Sequence, residues 1–117
     1  MRYVIVLLLG DVVIEDVASI RRMLPVSIPV AKRILKGVEP AMDVWLLMND
    51  HGEIEVAVRR LLNWALERGA RVDVCEMGQS EEVWDQRSDS GERISAQQLL
   101  VMLDDWRDTE FREEDRW

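Results

Sequence analysis

The chain predicts an α+β domain: a three-stranded antiparallel sheet with helices on one face, in the order β-α-α-β-α-β, followed by a C-terminal helix. Three observations lead there. Short apolar, β-branched runs alternate with segments of helical period, and Gly, Pro or capping residues stand at most of the junctions. The composition, 48% hydrophobic and 32% charged over 117 residues, is that of one compact domain able to bury a core unaided. The polar and acidic stretch 78–117 separates from a core at 1–77.

Residues 3–9 are a strand by length and β-branched content, ended by Gly10-Asp11. This strand is apolar on both faces, which implies that the second face of the sheet also meets something. Val17, Ile20, Met23 and Leu24 then recur at helical spacing, and Pro25 closes that helix. Ser27 is placed to cap a second helix, with Pro29 tolerated in its first turn and Gly37 as its stop. Its apolar side is Val30, Ala31, Ile34 and Leu35, while Lys32, Arg33 and Lys36 project outward. Residues 44–48 read as the second strand.

Asp50 with Glu53 has capping-box spacing for a long helix over 52–68, whose Ile54, Val58, Leu61, Leu62 and Ala65 share one side. Leu61, Leu62 and Ile34 are expected between helices and sheet. Gly69 ends the long helix, and residues 71–75 alternate as a half-buried strand does. The polar run 78–93, with Ser88-Asp89-Ser90-Gly91, reads as a loop. Ser95 with Gln98 forms a second capping-box pattern, and Ile94 with Leu99 has the spacing of a hydrophobic staple, so a helix is expected over 96–107. Its stripe of Leu99, Met102, Leu103 and Trp106 is placed to cover the second face of the sheet or to bind another chain.

Charge bounds the partners. The formal net charge is −8, and it is uneven: residues 1–77 hold 11 acidic and 10 basic side chains, residues 78–117 hold 12 and 5. Nucleic acid is disfavoured, because phosphate binding draws on clustered Lys and Arg; a basic protein is the natural partner. The bland alternative is a solvated acidic end. Met1-Arg2 before the apolar run resembles a secretory start, yet no small-residue cleavage site follows and Asp11, Glu15 and Asp16 arrive at once. No apolar stretch approaches membrane-spanning length, and the expected location is cytoplasmic.

Two family resemblances are carried by short stretches. Ile20-Arg21-Arg22-Met23, then Val26-Ser27-Ile28-Pro29-Val30-Ala31-Lys32-Arg33-Ile34-Leu35-Lys36-Gly37, resembles the helix-turn-helix of the C-terminal domain of the bacterial ribosomal stalk protein. Residues 65–74 look like that domain's closing helix, glycine turn and edge strand. The resemblance spans residues 3–76 and implies the β-α-α-β-α-β fold, which the N-degron adaptor of the Clp protease shares. It also implies a translation- or proteolysis-associated adaptor using the helix-turn-helix around Ser27 to Gly37. The turn here is Pro25-Val26-Ser27-Ile28-Pro29, stiffer and less basic than the family's Gly- and Lys-rich one. Only Gly10-Asp11 answers the Clp adaptor's Asn-Asp turn, and its pocket histidine has no counterpart in the first half of the chain. Residues 44–48, the Asp50-His51-Gly52 turn and Val72-Asp73-Val74-Cys75-Glu76 resemble a DsrE-type sulfur-relay protein, which implies a persulfide on Cys75 and a sulfurtransferase.

Chemistry has few candidates. One cysteine and one histidine exclude an intramolecular disulfide and a Cys/His zinc site. Asp73 and Glu76 flank Cys75 with charge that raises a thiol pKa, and a small hydrophobic role suits it better. His51 beside Asp50 has no nucleophile placed by sequence. Asp104-Asp105-Asp108 and Glu113-Glu114-Asp115 lack the alternating ligands and glycine turn of a calcium loop, and no cofactor is implied. Trp45 and Trp64 belong to periodic, core-forming segments. The remaining aromatics lie among carboxylates: Trp84, Asp104, Asp105, Trp106, Asp108, Phe111, Glu113, Glu114 and Trp117 together suit a docking surface for an Arg/Lys-rich protein. The leading expectation is a non-enzymatic binding module, an acidic inhibitor of the immunity or antitoxin type that occludes a basic partner.

Overall fold

A computed structural model of the chain describes residues 1–46, 52–79 and 91–114, the last eight of these by their backbone only. The elements are β1 (Arg2–Leu8), α1 (Ile14–Met23), α2 (Ile28–Leu35), β2 (Met42–Trp45), α3 (Gly52–Arg68), β3 (Arg71–Gly78), β4 (Glu92–Ile94) and α4 (Ala96–Glu114). The class is α+β and the sheet is antiparallel, but it has four strands rather than three, ordered β2-β1-β3-β4. The extra strand, β4, takes Glu92 and Arg93 from the end of the run 78–93 that reads as a loop in the sequence.

Local chemistry accounts for the helix starts. The Asp16 carboxylate accepts from the Val13 N–H at 3.0 Å and stands at the head of α1. Ser27 Oγ accepts from Val30 N–H at 3.4 Å, as its capping position requires. Ser95 and Gln98 form the reciprocal box: Gln98 N–H donates to Ser95 Oγ at 3.0 Å, and Ser95 N–H donates to Gln98 Oε1 at 2.7 Å. The proposed Asp50 cap lies outside the described residues, as do Leu47, Met48 and His51. Strand β2 starts two residues earlier than the sequence suggests, and α4 runs on to Glu114 rather than stopping near 107.

Strand register sorts the sheet into two faces, since directly paired residues point the same way. Tyr3 pairs with Val44, Ile5 with Met42 and Val74, Leu7 with Val72, and Val74 with Ile94. These side chains meet the buried residues of all four helices: Val17 and Ile20 of α1, Ala31, Ile34 and Leu35 of α2, Val58, Leu61 and Leu62 of α3, and Leu99 and Leu103 of α4. Leu61, Leu62 and Ile34 thus lie in the core as expected. The placement of α4 corrects the sequence reading. It does not cover the second face of the sheet; its stripe packs beside α3 on the same face, and Arg59 ties the two helices together by bonding Glu55 within α3 at 2.9 Å and Asp104 on α4 at 2.7 Å.

The other face carries Val4, Val6 and Leu8, with Asp43, Asp73, Cys75 and Arg93 opposite them. Leu8 is 44% exposed there, whereas Leu7 next to it is fully buried. A β-bulge between Arg2 and Tyr3 shifts the β1–β3 register at one end. Arg2 forms a bidentate pair with Asp43 on the neighbouring strand, at 2.7 and 2.6 Å. At the other end, β2 pairs only with the first half of β1, and the chain leaving α2 takes its place: Leu9 N–H donates to Leu35 O at 2.9 Å. Gly37 adopts φ 75° there, and a Cβ would stand 3.3 Å from the Leu7 carbonyl oxygen, so glycine is what lets the turn approach the strand.

Candidate functional site

Two regions can engage another molecule: the acidic C-terminal helix and the open face of the sheet.

On α4, the described side chains divide by the period of the helix. Ala96, Leu99 and Leu103 are buried, Leu100, Met102 and Trp106 are half-buried, and Val101, Asp104 and Asp105 are exposed. Asp104 is nevertheless engaged within the chain, because its carboxylate accepts the Arg59 guanidinium, which Glu55, itself buried, also holds. Burying the Arg59–Glu55 pair is tolerable because each charge has a hydrogen-bonded partner. The side chains of Asp108, Phe111, Glu113 and Glu114 fall outside the described residues although the helix backbone carries them, and Trp84 and Trp117 lie outside altogether. Of the predicted partner-binding set, the structure therefore brings together Asp104, Asp105 and Trp106, on one turn of a helix anchored to the core by the turns before it. Trp64 packs against the core, and Trp45 is half-buried on the edge strand β2.

The open face holds a concavity of about 250 Å³ lined by Val6, Leu8, Lys36, Gly37, Asp73, Val74, Cys75 and Arg93. Strand pairing builds it: Val6 opposes Asp73, and Cys75 opposes Arg93. The α2 exit turn supplies Lys36 and Gly37 as the third wall. Asp73 lies 3.6 Å from Arg71 and 3.9 Å from Arg93, long contacts between exposed groups and therefore weak ones. Cys75 is half-buried with its Sγ 3.4 Å from Met77 Sδ. Burial pushes the Cys75 thiol above its ordinary pKa, and the nearby Arg93 and Arg2 only partly offset this. A thiol held in its protonated form is a poor nucleophile at neutral pH. Lys36 was read from sequence as an outward helix residue, and Val6, Leu8, Asp73 and Arg93 were not singled out as site residues. The signal for them was the apolar second face of the first strand.

A second, shallower groove lies between α1 and α3, lined by Ser19, Arg22, Met23, Arg60, Asn63, Trp64 and Glu67. Arg22 there donates to Ser19 Oγ at 3.1 Å. Among the described residues no three His, Cys, Asp or Glu side chains come together as a metal site would require, and no helix is long and apolar enough to cross a membrane. No protein-family model, curated protein or solved structure matches this chain.

Proposed function

We propose that this protein is a non-enzymatic binding module, an acidic inhibitor of the immunity or antitoxin type that docks a basic partner protein on its C-terminal helix. The observation that carries the reading is the joining of a charge imbalance to a rigid mount. Residues 78–117 hold 12 acidic against 5 basic side chains, and the helix at their end is fixed to the core through Leu99, Leu103 and the Arg59–Asp104 pair. From Leu103 to Glu114 the helix advances roughly 16 Å at 1.5 Å per residue, and this part bears Asp104, Asp105, Asp108, Glu110, Glu113 and Glu114. This excess of carboxylates over Arg107 and Arg112 speeds encounter with a cationic surface, and the aromatics in the same stretch, Trp106 and Phe111, supply the apolar contact that slows dissociation.

The partner is sought first as the product of an adjacent gene, expected to encode a basic and toxic domain that co-purifies with the chain. Association is then followed by stopped-flow mixing over a range of salt. The on-rate should fall steeply as salt rises, and Asp108→Asn with Glu113→Gln should slow it further. An on-rate indifferent both to salt and to these substitutions would leave the acidic end as a solvated terminus and defeat the reading. Asp104 is a poor probe, because replacing it also frees Arg59.

A further inference from the structure

We propose that the concavity on the open face of the sheet is a binding site for a small aliphatic monocarboxylate. Its floor is aliphatic: Val6 and Leu8 point into a face that no helix covers among the described residues, and Leu8 leaves 44% of its surface exposed. Its rim is cationic, with Lys36 on the α2 exit turn and Arg93 on β4. Asp73 is shared between Arg93, at 3.9 Å, and Arg71, which stands opposite Leu8 on β3, at 3.6 Å. Lys36 is in contact with no carboxylate among the described residues, so the rim keeps an excess of positive charge beside an apolar surface.

That balance selects the ligand. A cationic rim matches an anionic head, and Lys36, the rim cation not already shared with Asp73, is placed to take a single carboxylate. Among the described residues the floor has branched aliphatic side chains and no aromatic ring, which favours an alkyl tail over a stacked base. At about 250 Å³ the space lies below the roughly 300–1,000 Å³ of sites for drug-sized molecules, so the tail is short. In the bound state the carboxylate accepts from Lys36 Nζ, the tail lies along Val6 and Leu8, and the mouth over Cys75 is closed.

Cys75 gives the readout, since it lines the same space and is the chain's one thiol. The intact chain is alkylated with iodoacetamide, a neutral reagent, in the presence of octanoate, acetate or octan-1-ol, and tryptophan fluorescence verifies that the fold persists. Octanoate should slow alkylation of Cys75 at least fivefold and saturably, whereas acetate, which has the head without the tail, and octan-1-ol, which has the tail without the charge, should not at equal concentration. Lys36→Gln and Leu8→Ser, both changes of exposed residues, should each raise the half-saturating octanoate concentration about tenfold, and Lys36→Arg should leave it near the parent value. Absence of protection by octanoate overturns the proposal, as does equal protection by octan-1-ol or protection unchanged in Lys36→Gln.

Discussion

The two faces of the central strand differ by one residue in register, and their environments part toward its C-terminal end, where Leu7 is buried and Leu8 exposed. Tyr3, Ile5 and Leu7 meet the helices and are wholly buried, while on the other face Val4 is buried too, Val6 is half-buried and Leu8 is exposed, with Asp43, Asp73, Cys75 and Arg93 around them. Both rows are apolar, so hydrophobicity alone does not decide which face carries the core. The described helices decide it, because they lie on one face, and the other keeps aliphatic surface bordered by charge at Val6 and Leu8. A strand apolar on both sides thus marks a sheet with two contact faces, only one of which the described helices occupy.

The sharpest way to break this contrast is to make a cavity on the closed face. Leu61→Ala should destabilise the protein by about 2–5 kcal/mol in chemical denaturation, the range for emptying a closed core site. A loss under about 1 kcal/mol would mean that the closed face tolerates voids as the open one should. Next in size is the β3–β4 end of the open face, where Gly91 sits at φ 90° and an added Cβ would stand 2.7 Å from the Glu76 carbonyl oxygen and 2.8 Å from Cys75 Sγ. Gly91→Ala should cost about 1 kcal/mol or more, combining a disfavoured backbone with a backbone clash; a neutral substitution would show β4 to be loosely held.

A third test uses pH on the closed side. The Arg68 guanidinium, at 2.7 Å, holds the buried Asp16 carboxyl below the usual carboxylate range, against the opposing effect of burial. A carboxyl whose pKa is lower folded than unfolded contributes stability that is complete above the unfolded value, about 3.9, and is lost as pH falls through the folded value. Asp16→Asn should therefore be less stable at neutral pH and lose less further stability between about pH 4 and pH 2; a parallel acid limb in parent and variant would exclude the pair as a source of acid sensitivity. The smallest effect belongs to Leu8→Ser on the open face, expected within about 0.5 kcal/mol of the parent by thermal melting. A larger loss would mean that Leu8 is packed in the folded protein.

What the sequence made legible follows the range of the interactions concerned. Ser27, Ser95 with Gln98, Pro25 and Gly37 act on neighbours three or four residues away, and the helices they bound are where those residues put them. Strand β4 was hidden because Glu92-Arg93-Ile94 is three residues long, two of them charged, and becomes a strand only by pairing with Glu76, Cys75 and Val74. The destination of α4 was hidden for a related reason: Leu99 and Leu103 at i, i+4 announce an apolar stripe but not which face of a sheet it will meet. The extension of α4 beyond 107 runs through Asp, Glu and Arg, residues that carry no hydrophobic period to follow. The concavity on the open face is assembled from β1, the α2 exit, β3 and β4, so only register joins Lys36 to Arg93.

The central position of β1 has a consequence for synthesis. β1 leaves the ribosome before the strands it needs on both sides, and those neighbours, β2 and β3, begin 40 and 69 residues after its own start. Until both have emerged, a seven-residue strand apolar on both faces has two unpaired edges, the condition in which chains pair with one another. Leu99 and Leu103 come later still, so the core closes only when nearly the whole chain is available. Contacts of such long sequence separation slow folding, and the nascent N-terminal half is the stage at which this protein is most open to aggregation and to capture by chaperones.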